Sequence, residues 1–198
     1  AGEEAPVLAA RIATRTPLHL PLPSLHVRLG TTKGTNALLE RKGAPVTLFI
    51  TKGLADLPAI GTQQRPHLFQ LDIPPPELLF ESVVEVDERM AADGTPLLEP
   101  SDPYLADLIH PTPPHHSIAI ALLNSYRNDA HELKLAAHLR QRGCSHISCS
   151  SELSQSIQLL PRAQTAIVNA YLEPVLDAYL SSIKNSIGDA ALHIIRAH

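Results

Sequence analysis

The sequence has few of the residues that mark several classes of protein. Its 198 residues contain two cysteines, no tryptophan, three phenylalanines and four tyrosines. Cys144 and Cys149 are too few for a disulfide framework, and no further cysteines lie near them to complete a structural zinc site. We therefore expect both cysteines to be buried, reduced thiols.

Runs of one charge and long apolar runs are also missing. The 16 lysines and arginines and 20 aspartates and glutamates give a net charge of −4 without a long stretch of either sign, which argues against a nucleic-acid partner. No apolar run approaches the roughly 20 residues that span a bilayer, and the first residues lack the basic-then-apolar order of a signal peptide. We expect no membrane partner and a cytoplasmic location.

Proline, by contrast, is abundant. The 18 prolines cluster in stretches that we interpret as connections, since proline fixes φ and removes a backbone donor: residues 17–23, 73–77 and 110–116. Between the connections, "HVRL" (26–29), "NALLERKG" (36–43) and "VTLFIT" (46–51) predict a β-α-β unit.

The rest of the chain continues the alternation of strands and helices. Asp93-Gly94 predicts the turn of a β-hairpin within "SVVEVDERMAADGTPLLEP", and Asp129 with Glu132 has the spacing of a helix capping box. Further predictions are a buried strand at 117–123, a helix end at Gly143, a strand at 146–150, and an amphipathic helix over 162–186 with a kink or break at Pro174. We predict an α/β fold with a sheet of mixed direction, in which the hairpin supplies the antiparallel part.

The stretch "LGTTKGTN" (29–36) follows the first predicted strand and does not match the Walker pattern, because lysine precedes glycine. A glycine after a strand, three threonine hydroxyls and a following helix start nevertheless suit an anion. The alternative is an ordinary strand-to-helix turn in which Thr35 or Asn36 caps the helix. Lys33 fits either a phosphate-binding charge or a solvated surface lysine.

Several segments, in order, closely resemble the N-terminal region of the hydantoinase/oxoprolinase family, closest to its ATP-dependent 5-oxoprolinases and hydantoinase A subunits. They are "RLGTTKGTNALLERKGA", "TKGLADLPAIGTQQRPHLFQLDIPPPELLFESVVEVDERMAADGTPL", "AIALLNSYRNDAHELKLAAHL", "SCSSELS" and "TAIVNAYLEPVLDAYL". The resemblance covers about residues 25–180. The sequence departs from it at Lys33 and Gly34, where many members carry small apolar residues, and before the arginine of "PRAQT", where Leu159, Leu160 and Pro161 replace acidic and aromatic residues.

The resemblance implies a fold and an activity. It implies a ribonuclease-H-like half of the actin, hexokinase and Hsp70 type, with a hairpin insertion, as part of a larger enzyme. Residues 1–160 would form the N-terminal domain and 161–198 the start of a second. The implied reaction is ATP-dependent and Mg²⁺-dependent opening of a cyclic amide by phosphorylation of its oxygen. Partners would be the substrate, the rest of the enzyme or a hydantoinase B-type subunit, and further copies in an oligomer. An ATP-dependent ketone carboxylase subunit and a noncatalytic ATP-binding or assembly module remain alternatives.

The resemblance also suggests site residues. For the nucleotide they are Gly30, Thr31, Thr32, Lys33, Thr35 and Asn36, and for the substrate they are Gln64, Arg65 and Asn169. No catalytic residue and no metal ligand is assigned.

Two other polar groups have ordinary structural interpretations. Glu85, Asp87 and Arg89 share one face of a predicted strand, which favours an ion-paired hairpin over a metal or acid–base site. His110, His115 and His116 lie in a proline-rich connection without regular ligand spacing, which favours surface histidines.

Overall fold

A computed structural model describes residues 3–63, 77–188 and 190–195 of the chain. The chain forms two compact units. One comprises Ala44–Glu173, and the other combines Ala1–Gly43 with Pro174–His198.

The described residues form helices and strands in alternation, as the sequence predicts. The helices are α1 (Ala5–Thr14), α2 (Lys33–Leu39), α3 (Leu57–Ile60), α4 (Asp102–Ile109), α5 (Ala130–Gln141), α6 (Ser150–Leu153) and α7 (Leu159–Ile187). The strands are β1 (His26–Leu29), β2 (Val46–Thr51), β3 (Ser82–Val86), β4 (Arg89–Met90), β5 (Pro96–Leu98), β6 (Ser117–Ala121), β7 (Ile147–Cys149) and β8 (Ala191–Ile194). The α/β class is confirmed, and no described helix is long and apolar enough to cross a membrane.

A four-stranded parallel sheet forms the centre of the 44–173 unit. Its strand order is β3-β2-β6-β7, and Phe49 of β2 lies in register with Val84 and Ile120 on its two sides. The central strands β2 and β6 are buried at every position, which explains their continuous apolar runs. The α5 residues Leu135, Ala136 and Leu139 pack in the same core cluster as Phe49 and Ile120.

The predicted hairpin exists, but it is shorter than the sequence pattern indicates. β4 and β5 pair antiparallel in a two-stranded sheet of their own, and Gly94 holds the turn with a φ of +91°. The prediction was wrong for residues 82–86, which form β3 and pair parallel with β2. Alternation shows that a strand is half-buried, but it does not specify which neighbour the strand pairs with. The antiparallel part therefore lies outside the four-stranded sheet.

The other compact unit contains a second correction. β1 pairs parallel with β8, so the prediction that β1, α2 and β2 form one β-α-β unit was wrong. Within this unit Val7, Leu29, Ile183 and Ile187 form a small buried cluster. The partner of β1 lies more than 160 residues further along the chain, and local periodicity carries no information about so distant a pairing.

The long helix α7 continues through Pro174, so a break at that residue was wrong, and the alternative of a kink stays a prediction. The division between the two compact units nevertheless falls between Glu173 and Pro174. The predicted family-domain division after residue 160 falls in the first turn of α7 and stays a prediction. Gly143 follows the end of α5 with a φ of +96°, which confirms the predicted stop.

Candidate functional site

The residues Gly30–Asn36 run from the end of β1 into the first turn of α2, and we call this exposed segment the Gly30–Asn36 loop. Six of its seven residues are exposed, and Gly34 is half-buried. The backbone amide of Lys33 donates to Thr31 Oγ1 at 3.1 Å, which orders the loop just before α2. The hydroxyls of Thr32 and Thr35 make no hydrogen bond to the described residues. This segment therefore exposes hydroxyl groups to its surroundings.

The helix cap predicted at Thr35 or Asn36 was wrong, whereas the alternative of an ordinary strand-to-helix turn with exposed threonines stays open. α2 begins at Lys33 with Thr32 at the N-cap position, and Thr32 makes no side-chain capping bond. Thr35 and Asn36 lie inside the first turns of α2, where the backbone N–H of Asn36 donates to the backbone carbonyl of Thr32 at 2.9 Å. Because α2 has only seven residues, its dipole adds little, and any affinity of the loop for anions rests on side chains.

The backbone conformation at position 30 does not require a glycine. Its φ lies outside the left-handed region, and a Cβ built on it would meet no atom within 4 Å. A glycine there leaves room for something outside the described residues to approach the backbone closely. This open space is compatible with the predicted approach of a phosphate group.

Lys33 contacts an aromatic ring. Its ammonium lies 5.5 Å from the centre of the Tyr179 ring, and no carboxylate in the described ranges is recorded within ion-pair distance of it. The positive charge of Lys33 is therefore not neutralised inside the described structure.

A second polar cluster, centred on Glu132, lies at the carboxyl ends of β6 and β7. The Glu132 side chain is fully buried. Its Oε1 accepts from Leu122 N at 2.9 Å, Ser125 Oγ at 2.8 Å and Ser150 Oγ at 2.7 Å. Its Oε2 accepts from the backbone and the hydroxyl of Ser151 at 3.0 and 2.7 Å. These five bonds replace the water that the carboxylate loses on burial.

Arg162, in the first turn of α7, is the counter-charge of this carboxylate, and it also donates hydrogen bonds to two of the serines that bind the carboxylate. Its Nη1 donates to the hydroxyls of Ser125 and Ser150, the latter at 2.7 Å, and lies 4.0 Å from Glu132 Oε1. Burial lowers the pKa of the Arg162 guanidinium, and the charge of Glu132 opposes that effect. We call these residues (Ser125, Glu132, Ser150, Ser151 and Arg162) the buried polar cluster.

The prediction of a capping box at Asp129 and Glu132 was wrong. Asp129 occupies the N-cap of α5 but makes no side-chain capping bond within the described chain, and Glu132 points into the buried polar cluster. A sequence signal for this was present, because positions 132, 135, 136 and 139 have the spacing of one helix face. A glutamate on an apolar helix face indicates a buried partner.

Glu88, which belongs to the same acidic stretch as Glu85 and Asp87, is another buried acid. It is 2% exposed, accepts from the Thr51 hydroxyl, and its Oε2 lies 2.7 Å from His131 Nδ1. Thr51 Oγ1 also accepts from Leu123 N at 2.8 Å. These bonds tie the ends of β2 and β6 to the start of α5.

The neighbouring acids Glu85 and Asp87 stabilise a loop. Glu85 accepts from Gly53 N at 2.7 Å, and Asp87 forms an exposed ion pair with Lys52 at 3.1 Å. Both contacts join the end of β3 to the segment after β2. The ion pair predicted across the hairpin is therefore made to a different neighbour.

The predicted substrate residues are only partly described. Gln64 and Arg65 lie outside the described residues. Asn169 is half-buried on α7, and its Nδ2 donates to Ser148 Oγ at 3.0 Å, so part of its hydrogen-bonding capacity is used within the fold. It lies in the 44–173 unit, whereas the Gly30–Asn36 loop belongs to the other.

The remaining sequence candidates have simple environments. Both cysteines are free and buried, as predicted, and burial raises the pKa of the Cys149 thiol to about 12. His110 and His115 are exposed, whereas His116 is half-buried and contacts Thr47 Oγ1 through Nδ1 at 3.0 Å. Among the described residues, no group of three or more potential metal ligands comes together.

Comparison with known proteins assigns the chain to a family. A family model described as the hydantoinase/oxoprolinase N-terminal region matches residues 23–143, which include the whole Gly30–Asn36 loop and α5. The chain belongs to the hydantoinase/oxoprolinase family. Its predicted family resemblance is thereby confirmed.

Individual members of the family and solved structures agree with this assignment. The chain is 36% identical to 5-oxoprolinase 1 of Arabidopsis thaliana over 82% of its length, but it spans only 14% of that relative. The structure of the ATP-dependent caprolactamase from Pseudomonas jessenii matches 83% of the chain with a TM-score of 0.69 and 26% identity, and the match covers 25% of that chain. A nucleotide-free acetone carboxylase matches 82% of the chain and 25% of its own at 22% identity, with a TM-score of 0.66, which shows a shared fold.

Proposed function

We propose that this chain contributes to an ATP-dependent cyclic amide hydrolase, which opens 5-oxoproline to glutamate or opens a related hydantoin ring. The observation that carries the proposal is the family match over residues 23–143, together with 36% identity to a 5-oxoprolinase. The chain spans 14% of that relative, so the activity is proposed for the polypeptide or complex that contains it.

The proposed chemistry is phosphorylation of the amide oxygen. ATP would transfer its terminal phosphoryl group to the amide oxygen and leave as ADP, which turns a stable amide into a phosphorylated imidate. Water would then attack the imidate carbon, phosphate would leave, and the ring C–N bond would break. Catalysis of such a transfer depends mainly on positioning and on stabilising charge. Because Mg²⁺ is a cofactor implied by the resemblance alone and the described residues assemble no ligand cluster, we assign no residue of this chain to it.

The Gly30–Asn36 loop is the proposed phosphate contact. The hydroxyls of Thr31, Thr32 and Thr35 would donate to phosphate oxygens, with Asn36 as an additional polar contact. Gly30 allows the backbone to approach because the space beside it is open. Lys33 adds a positive charge that the described residues do not neutralise.

The proposed substrate residues act through different groups. Arg65 would form a two-point contact with the substrate carboxylate, and Gln64 would lie beside it. Asn169 uses one N–H of its Nδ2 within the fold, so its carbonyl oxygen, which could accept from the amide N–H of the ring, and a second N–H are left. The proposed partner is either the rest of the same enzyme or a hydantoinase B-type subunit. We propose that the assembly is an oligomer and that it lies in the cytoplasm.

The test is ATP turnover by the longest native polypeptide that contains this sequence, with any native partner present. 5-Oxoproline, hydantoin, and bicarbonate with a ketone are supplied in parallel, and ADP and organic products are measured. We expect turnover with a cyclic amide, with glutamate as the product when 5-oxoproline is supplied. Turnover that requires bicarbonate and a ketone would instead establish the carboxylase alternative, and ATP binding without turnover on any substrate would establish the noncatalytic module.

A further inference from the structure

The contact between Lys33 and Tyr179 sets the position of a charge. A lysine on the surface ordinarily samples many rotamers, because its long side chain loses entropy when it is fixed. The Lys33 side chain is exposed, yet its ammonium lies 5.5 Å from the ring centre of Tyr179. At this distance the ring quadrupole attracts the cation.

The Tyr179 ring is itself held in place. It is half-buried on α7 and packs against the buried cluster of Val7, Leu29, Ile183 and Ile187. Leu29 directly precedes the Gly30–Asn36 loop in the sequence. The same small core therefore supports both the strand end that leads into the loop and the ring that contacts Lys33.

The attraction to the ring leaves the charge of Lys33 available. An aromatic face attracts an ammonium without removing its charge, and its N–H groups can still donate to an anion. The pKa of the Glu40 carboxyl, at the C-cap of α2, is lowered mainly by its direct partner Lys42 and least by the charge of Lys33. A preset and unneutralised cation costs less ordering entropy when an anion binds.

We infer that Tyr179 is a positioning residue that orients Lys33 toward the phosphates of the nucleotide. This inference rests on the proposed function, since it takes the Gly30–Asn36 loop as the phosphate contact. Tyr179 itself contacts no phosphate, and its effect passes through the ammonium of Lys33.

The first experiment measures KM for ATP and kcat in the longest native polypeptide with its partner. Lys33→Met, which keeps the stem and loses the charge, should raise KM for ATP about tenfold. Tyr179→Leu should raise KM about two- to fivefold, and Tyr179→Phe, which keeps the ring face, should leave KM unchanged. In the Lys33→Met background, Tyr179→Leu should have no further effect on KM.

The double variant separates positioning from packing. If Tyr179→Leu raises KM equally with and without Lys33, or if Tyr179→Phe behaves like Tyr179→Leu, Tyr179 does not act through Lys33 and the inference is overturned. Unchanged KM in Lys33→Met, with normal turnover in the wild type, overturns the inference and leaves the proposed function intact.

A second measurement works without turnover and so separates failure of the proposed function from failure of the inference. Reductive ¹³C-methylation keeps the lysine charge, and the Lys33 signal is identified by its loss in Lys33→Arg. We expect a ring-current shift that Tyr179→Leu removes, and a further shift on addition of tripolyphosphate. A Lys33 signal that is insensitive to both Tyr179→Leu and tripolyphosphate would contradict the inference even in an inactive protein.

Discussion

The Gly30–Asn36 loop and the buried polar cluster use similar residue types in opposite ways. In the buried polar cluster, the Glu132 carboxylate accepts five hydrogen bonds and Arg162 is fully enclosed. In the loop, three threonines and a lysine are exposed, and one side-chain bond orders the turn. The Glu132 carboxylate is satisfied by the chain itself, whereas the side chains of the loop are exposed.

This contrast separates two kinds of glycine as well. Gly94 adopts a φ of +91°, and a Cβ there would lie 3.1 Å from Arg127 Cγ. Gly30 has neither a left-handed φ nor a neighbour within 4 Å of an added Cβ. The chain itself requires the first glycine, and the second is expected to matter only when a ligand binds.

The largest expected effect concerns Cys149, which directly precedes the buried polar cluster. Burial raises the pKa of its thiol from 9.0 to about 12, so the thiolate fraction in the folded protein at pH 8 falls about a thousandfold. Alkylation by iodoacetamide, followed by mass spectrometry, should be slower in the folded than in the denatured protein by at least that factor, because the buried side chain also excludes the reagent. Because the folded pKa is the higher one, the part of the protection that comes from the pKa is complete below the unfolded pKa and is lost as pH rises toward 12. Equal rates at pH 8 in folded and denatured protein would show that the thiol is accessible.

The next effect is on stability. Glu132→Ala should lower the free energy of unfolding by about 3–5 kcal/mol, because it leaves the buried Arg162 without its counter-charge. Chemical denaturation monitored by circular dichroism measures the change, with Glu99→Ala on the exposed surface as the matched control. A loss of less than about 1 kcal/mol would mean that water reaches Arg162.

A smaller effect distinguishes the two glycines. Gly94→Ala should cost about 1–2 kcal/mol of stability, since an alanine side chain is strained at positive φ and Arg127 must move. Gly30→Ala should leave the unfolding midpoint unchanged and should weaken ATP use if the backbone lies close to phosphate. Paired denaturation curves test this, and equal losses of stability in both variants would remove the distinction between the two regions.

The sequence predicted the parts of the fold that depend on local pattern. The apolar runs of β2 and β6 are recognisable because both strands are buried on both faces, and Gly143 marks the end of α5 through its φ requirement. The pairing of β1 with β8 and of β3 with β2 could not be predicted, since it depends on contacts between segments far apart in the chain.

The candidate site was predicted unevenly for a similar reason. The Gly30–Asn36 loop is contiguous, so its residue types were visible in one stretch. The buried polar cluster draws on three separate segments, and Glu132 fits a capping-box spacing as well as an apolar helix face. Only the three-dimensional structure, which shows Ser125, Ser150 and Arg162 around the carboxylate, decides between these two interpretations.

The most direct test of the account is Thr31→Ala in the longest native polypeptide, with KM for ATP, KM for the cyclic amide and the unfolding midpoint measured together. We predict a higher KM for ATP and an unchanged unfolding midpoint, because the Thr31 hydroxyl is exposed and makes one local bond. Wild-type kinetics for both ATP and the cyclic amide would contradict the assignment of the Gly30–Asn36 loop to the active site.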